Sequence, residues 1–246
     1  MATISKINEL TPHRNDRRIR VKVLRKWSGM IDGGVDILCF LLVDDHGGKI
    51  PAKVSPGDGL YENFDLSLHE EQWKIITGFT VELSPPGFRF AMNHHTIIFT
   101  GNTHLQSSWG VCADYMNFRN FTDIMNGDYT SNYPIDLLGY LDGVSVIEVV
   151  TDHTFTLGDD KETSRVTFTI KDLGGRTLEC KAYGVLVIQL YEKLWRHGGT
   201  EIFITMSDWM VYKDRGTNEM KIKDAGGISR FEFNAICQDV YEFRAA

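Results

Sequence analysis

One turn sequence occurs twice in this chain, and each copy precedes a segment with the pattern of a strand. The copies are Asp45–Lys49 (DHGGK) and Asp172–Arg176 (DLGGR). Paired glycines between periodic segments are typical of tight turns. After the second copy, residues 177–183 alternate between apolar and polar side chains, which indicates a strand with one buried face. The chain therefore looks like one β-rich unit used twice.

Chain length supports this division. A chain of 246 residues with 42% hydrophobic content can bury one large core or two small ones, and the repeat favours two units of about 110 to 120 residues. We predict a first domain at 1–105, a partly ordered linker at 106–134 and a second domain at 135–246. Without an apolar stretch of roughly 18 residues or a secretory leader, the chain is expected to be soluble and intracellular, with no membrane partner.

The predicted elements follow the same order in both units: three strands, a helix, then two strands. The predicted elements of unit one are strands at 17–23, 35–43, 49–54, 78–83 and 96–99 and a helix at 60–76. Those of unit two are strands at 137–150, 165–171, 177–183 and 201–212, a helix at 185–195, and a last strand at either 220–223 or 228–233. Pro51 is expected to make its strand an edge or a bulged one. This order predicts an all-β fold with short helices, in two tandem five-stranded oligonucleotide-binding (OB) barrels, although periodicity alone leaves other small barrels open.

Composition argues against several function classes. The net charge of −7 is unlike that of a protein that coats nucleic acid through bulk electrostatics. Residues 1–110 carry 12 Lys and Arg against 12 Asp and Glu, and the remainder carries 14 against 21, so the excess acid lies in the second half.

The four separated cysteines form no CxxC pair and are expected to be reduced. Phosphate-loop, zincin, nucleophile-elbow and deaminase motifs are absent from the sequence, so we predict no enzyme and no cofactor. Adjacent His94 and His95 point to opposite faces of a strand, which disfavours a metal site.

Tyr183 is the strongest candidate for a functional residue. It shares the solvent face of its predicted strand with Lys181, and a ring beside an ammonium suits a nucleobase and its phosphate. Glu179 lies on the same face and would oppose a phosphate there.

Two stretches of unit two resemble the second central OB domain of the replication protein A large subunit. They read NFTDIMNGDYTSNYPIDLLGYLDG, from Asn120 to Gly143, and DLGGRTLECKAYG, from Asp172 to Gly184. Unit one, through ISKINELTPHRNDRRIRVKVLRKW and LVDDHGGKI, resembles the first such domain. The loops also resemble those of the plant-expanded group of replication-protein-A-like proteins.

The resemblance implies two base-stacking aromatic residues in each unit, one ending strand three and one near the turn between strands four and five. In unit two these positions fall on Tyr183 and on Tyr212, with Trp209 as the alternative in another register. Tyr212 would face inward in a regular strand that also contains Ile204 and Met206. In unit one the later aromatic position falls on Phe88.

The earlier aromatic position of unit one falls on Ser55, which departs from the family pattern, and a usual basic residue is replaced by Pro51. Trp27 or Phe90 could substitute for the missing ring. The candidate phosphate contacts are basic residues of the first strand and of the neighbours of the aromatic positions: Arg18, Arg20, Lys22, Lys26, Lys53, Arg89, Lys181, Lys213 and Arg215.

The leading hypothesis is sequence-independent binding of single-stranded DNA through base stacking and phosphate contacts. A nuclear location and other replication, repair or recombination proteins as partners are expected with it. The alternatives are a protein-interaction scaffold built on degenerate OB folds, which the acidic second half favours, and binding of single-stranded RNA.

Overall fold

A computed structural model describes residues 3–12, 14, 16–31, 35–57, 59–111, 115–129, 132–152, 161–197 and 201–245. The chain forms two compact units, residues 1–115 and 116–246. The predicted linker therefore divides between them. Helix α2, Phe121–Asn126, lies in this segment, begins at the cap Asn120, and places Phe121 and Ile124 in the core of unit two.

Unit one is a single curled sheet of seven strands in the order β5-β6-β3-β2-β1-β4-β7. Its elements are β1 Arg18–Ile31, β2 Val35–Asp44, β3 Lys49–Val54, α1 Leu60–Ser67, β4 Trp73–Thr77, β5 Thr80–Leu83, β6 His95–Phe99 and β7 His104–Ser107. Neighbouring strands are antiparallel except β3 and β6, which are parallel. Alternating residues of β1, such as Ile19 and Val21, face a core that Phe40 and Phe99 also fill.

Two predicted elements of unit one are divided differently. The predicted helix over residues 60–76 ends at Ser67, and Trp73–Thr77 pairs with β1 as a strand. The predicted strand over 78–83 is found as the shorter strand Thr80–Leu83, because Gly78, with φ +70°, turns the chain between β4 and β5. A Cβ on Gly78 would lie 2.0 Å from the carbonyl oxygen of Asn102, which only glycine can tolerate.

Pro51 lies inside β3, which is not an edge strand. Strand β3 lies between β2 and β6, but its pairing with β6 begins at Ala52. Because Pro51 precedes that pairing, its missing N–H removes no ladder hydrogen bond to β6.

Unit two is a closed barrel. Its elements are α2 Phe121–Asn126, β8 Ile135–Val144, β9 Glu148–Asp152, β10 Lys161–Lys171, β11 Thr177–Tyr183, α3 Val185–His197, β12 Phe203–Lys213, β13 Met220–Asp224, β14 Arg230–Phe233 and α4 Gln238–Ala245. Strands β8, β10, β11, β13 and β12 close the ring, with β11 and β13 parallel. Both candidates for the last strand exist. The predicted all-β fold with short helices and tandem OB folds is confirmed.

A bulge in β12 decides which side chains face the core of unit two. Strand β12 shifts register against β8 between Met206 and Trp209, where Asp208 adopts φ +61°. The extra residue reverses the alternation, so Met206, Trp209 and Val211 all lie in the core. Tyr212 consequently faces outward, which a regular strand would not allow.

Three further sequence-based expectations concern residues that the structure describes. Cys39 and Cys180 are buried and Cys237 is partly buried, all with free thiols, while Cys112 lies outside the described residues. Among the described residues, no group of three or more His, Cys, Asp or Glu side chains is placed to bind a metal ion. None of the described helices is long and apolar enough to cross a membrane.

Candidate nucleic-acid interface

Cations and tyrosines share the outer face of the unit-two barrel. Strand pairing places Arg165 opposite Tyr183, and Lys221 opposite Tyr212. Lys181 pairs with Lys223 across the parallel strands β11 and β13. Intervening residues of these strands belong to the core. We call this surface the tyrosine face, formed by Arg165, Thr167, Glu179, Lys181, Tyr183, Tyr212, Lys221 and Lys223.

Tyr183 is held in place through its main chain. It ends β11, and its backbone N–H donates to Oδ2 of the buried Asp224 over 2.8 Å. The next residue, Gly184, turns the chain with φ +56°. The charge of the neighbouring Arg165 lowers the pKa of the Tyr183 hydroxyl, yet burial outweighs this effect and raises that pKa. Tyr183 is therefore a neutral, half-buried ring of fixed position.

Tyr212 lies beneath two ammonium groups. The Nζ atoms of Lys181 and Lys223 lie 5.7 Å and 5.8 Å from its ring centroid, within the range of cation–π attraction. Burial, reinforced by the charges of Glu179 and Asp214, raises the pKa of Tyr212 to about 12. Within the described residues, the hydroxyl of Tyr212 is buried and makes no hydrogen bond.

Carboxylates at the tyrosine face and its margin partly offset the cations. Glu179 accepts a hydrogen bond from Lys221 over 2.9 Å and lies 3.7 Å from the ammonium of Lys181. Its bond raises the pKa of Lys221. At one margin Glu148 accepts from Arg165 over 2.5 Å. At the other, Asp214 lies 4.0 Å from Lys221. Four cations thus meet three carboxylates, so the surface is mixed rather than strongly basic.

The structure contradicts Trp209 as a stacking residue. Its ring is fully buried, lies edge-on to Phe168 with centroids 5.8 Å apart, and donates its indole N–H to the carbonyl of Arg230. A base cannot reach it. Lys213 and Arg215 are exposed beside the turn that follows Tyr212, where an extended strand crossing the face could contact them.

The matching outer face of unit one is covered by its own side chains. Leu41 and Val43 point away from the main core, yet neither is exposed. They form a separate cluster with Leu24 and Ala91, against which Trp27 and Tyr115 pack. The segment between β5 and β6, which carries Ala91, therefore covers the strands on this side.

The aromatic candidates of unit one pack into this covering layer. The rings of Trp27 and Phe90 lie 4.7 Å apart, and Phe88 meets Phe90 edge-on at 5.3 Å. Phe88 is half-buried in this cluster. The ring predicted for stacking is thus engaged with protein side chains.

Basic candidates of unit one are largely engaged by carboxylates. Arg20 forms an ion pair with Asp45, and Lys22 pairs with Glu71 over 2.5 Å. Lys22 also lies 5.5 Å from the ring of Tyr115.

Lys26, another candidate phosphate contact, lies on the opposite side of β1 from Arg20 and Lys22. A bulge at Leu24 reverses the alternation of β1, so Lys26 pairs with the core residue Phe40 and reaches Asp65 of α1 over 2.7 Å. Of the remaining candidates, Arg89 donates to Nδ1 of His94 over 2.8 Å, Lys53 pairs with Cys39, and Arg18 pairs with Thr77.

Sequence reasoning missed three cations of the tyrosine face: Arg165, Lys221 and Lys223. A signal existed for two of them, because Lys221 and Lys223 flank Ile222 in one of the two predicted last strands. The parallel pairing that sets them beside Lys181 is a tertiary feature that the local pattern does not contain.

Comparisons with known proteins fit the fold. The profile of a family described as Domain of unknown function DUF223 matches residues 8–127, slightly less than half of the chain. No curated protein sequence matches the chain significantly.

Among solved structures, a chain of a replication protein A heterotrimer bound to ssDNA aligns with a TM-score of 0.64 and 18% identity. The alignment covers 98% of this chain and 54% of that one, so this chain spans about half of its relative. Fission yeast Pot1 with ssDNA aligns at a TM-score of 0.35 and 8% identity, covering 99% and 92% of the two chains. The p202 HIN1 domain in complex with 12-mer dsDNA aligns at a TM-score of 0.42 and 11% identity, covering 91% of this chain and 100% of that one. The first alignment supports the OB fold, and the other two are too distant to support an argument.

Proposed function

We propose that unit two binds single-stranded DNA on the tyrosine face, with little dependence on sequence. The observation that carries this proposal is the juxtaposition of two half-buried tyrosine rings and four cations, of which Lys221 is buried, on the outer face of the barrel. Aromatic rings receive bases of any identity, and cations attract the phosphates between them. Two of the strands that form the face, β10 and β11, are the second and third strands of the barrel, whose outer face OB folds use for oligonucleotides.

Each residue has a distinct part in this proposal. Bases stack on Tyr183 and Tyr212, while Lys181 and Lys223 contact the backbone between them. Lys213 and Arg215 extend the positive surface past Tyr212. Asp224 acts as a positioning residue, since it fixes the main chain of Tyr183.

Unit one contributes less affinity in this proposal, because Ala91 and Tyr115 cover the face that would receive a strand. The chain acts as a binding protein rather than an enzyme, in the manner of replication-protein-A-like proteins. Its expected place is the nucleus, with replication or repair proteins as its associates.

Replacement of Tyr183 tests the proposal. One stacked base contributes about 1 to 3 kcal/mol, so Tyr183→Ala should weaken binding of an oligo-dT by about 5- to 150-fold in fluorescence anisotropy. Tyr241→Ala is the matched control, because this exposed tyrosine lies on α4. Equal affinities for the Tyr183→Ala variant and the unmodified protein would refute the assignment.

A protein-interaction scaffold is the second candidate, favoured by the covered face of unit one and by the carboxylates around the tyrosine face. Salt titration separates the two functions. On a single strand, log K for a nucleic-acid binder falls with log salt at a slope of about −0.7 per neutralised phosphate. A scaffold would give no measurable oligonucleotide affinity. Matched ribo- and deoxyribo-oligomers distinguish RNA from DNA binding.

A further inference from the structure

A cleft of about 400 Å³ opens beside Tyr183. This volume lies within the range of small-ligand pockets, roughly 300 to 1,000 Å³. Its walls come from the start of β10, the start of α3 and the loop between β13 and β14. The lining residues include Thr163, Tyr183, Val185, Gln189, Gly227 and Arg230.

The cleft continues the tyrosine face. Thr163 lies two residues before Arg165 on β10, so the two side chains share the outer side of that strand. Tyr183 belongs both to the face and to the wall of the cleft. A single-stranded DNA that stacks one base on Tyr183 therefore places its next nucleotide at the mouth of the cleft.

The lining combines a flat apolar surface with hydrogen-bonding groups. Val185 is 65% exposed at the start of α3, and the amide of Gln189 is exposed one turn later on the same helix. Arg230 is held in place, because its Nη1 donates to the carbonyls of Gly227 over 2.7 Å and of Ser229 over 3.0 Å.

One carboxylate in the lining is already engaged. Asp224 accepts hydrogen bonds from the backbone N–H groups of Tyr183 and Gly226, over 2.8 Å and 3.0 Å. A neutral base beside it avoids the repulsion that a phosphate would meet. The cleft thus suits a nucleobase better than a phosphate.

We propose that this cleft binds one unstacked purine of the single strand held on the tyrosine face. The inference rests on the proposed function and adds a single position of base preference to it. A glutamine amide matches the N6 and N7 edge of adenine, and arginine matches the O6 and N7 edge of guanine. The larger purine ring also covers more of Tyr183 and Val185 than a pyrimidine would.

A substitution walk through an oligonucleotide tests the inference. In fluorescence anisotropy, an oligo-dT of fixed length is compared with oligomers that carry a single dA, dG or dC at each position in turn. We expect one position at which a purine tightens binding about fivefold or more, while dC does not. Gln189→Ala should remove that gain for dA and leave the affinity for oligo-dT unchanged.

Two further variants complete the test. Thr163→Val removes a second polar group of the cleft and should reduce the purine gain. Glu192→Gln, on the exposed side of the same helix, should retain it. If oligo-dT binds but no position prefers a purine, or if the gain survives in both cleft variants, the inference is overturned and the proposed function stands. If no oligomer binds at all, the proposed function fails and the inference fails with it.

Discussion

Glu179→Gln should strengthen the binding of single-stranded DNA. Glu179 is the carboxylate closest to the centre of the tyrosine face, 2.9 Å from the Lys221 ammonium and 3.7 Å from that of Lys181. The Glu179 carboxylate competes with the phosphates of DNA for both ammonium groups, and it also repels the phosphates directly. Glutamine keeps the side-chain shape and a hydrogen-bond acceptor for Lys221. The substitution therefore removes the negative charge and changes little else.

The magnitude follows from the geometry. A phosphate on Lys181 would lie roughly 6 Å from the Glu179 carboxylate, where Coulomb repulsion ranges from about 0.7 kcal/mol in water to about 2.8 kcal/mol at an effective dielectric constant near 20. Glu179 is partly exposed, so screening favours the lower part of this range. A gain of about 1 kcal/mol corresponds to about fivefold tighter binding.

Fluorescence anisotropy with a labelled oligo-dT at several salt concentrations measures this effect. The slope of log K against log salt should also become steeper, by about 0.7 for each additional phosphate contact. Glu232→Gln is the control, because it makes the same change in net charge away from the tyrosine face. Glu232 lies on β14, at a point where that strand pairs with β12 seven residues before Tyr212, so the change should have little effect on binding. Unchanged or weaker binding by Glu179→Gln would refute the assignment of a phosphate to Lys181.

Four other predictions follow from single contacts. Tyr212→Phe should raise the free energy of unfolding by about 1 kcal/mol, because it removes a buried hydroxyl with no partner among the described residues; thermal unfolding measures this, and a lower midpoint would contradict it. Because the pKa of Tyr212 is about 12 in the fold against about 10 in an unfolded chain, the free energy of unfolding should fall as the pH rises from 10 to 12, and Tyr212→Phe should abolish this fall in alkaline unfolding curves. Gly78→Ala should destabilise unit one by about 3 kcal/mol or more in urea denaturation, because of the 2.0 Å approach to Asn102, and an unchanged midpoint would refute the break between β4 and β5. Arg20→Ala should leave oligo-dT affinity within about twofold because Asp45 already pairs with Arg20, so a larger loss would place DNA on unit one.

Local sequence patterns predicted the strands that carry the site, but only for β11 did they predict which side chains the strand presents. The alternation over 177–183 correctly predicted that Lys181 and Tyr183 face outward from β11. The outward position of Tyr212 depends on a bulge at Asp208, whose left-handed conformation forms against β8. No local hydrophobic period encodes that bulge. The same bulge places Trp209 in the core of unit two and so excludes it from base stacking.

Tertiary packing accounts for the other differences. The first strand of unit one has a basic pattern, but Asp45, Glu71 and Asp65 reach its cations from distant parts of the chain. The cover over Leu41 similarly depends on a loop fifty residues away that carries Ala91. Ion pairs and loop contacts between residues so far apart in the chain are set by the folded topology, and the alternation pattern of a single strand does not specify that topology.

Photo-crosslinking tests the central claim most directly. An oligo-dT that carries 5-iodouracil is irradiated with the full chain, and the adducts are located by mass spectrometry. We predict adducts on Tyr183 or Tyr212 of the tyrosine face. Adducts confined to the unit-one aromatics, such as Trp27, Phe88 or Phe90, or none at saturating protein, would contradict the claim that unit two holds the unpaired bases.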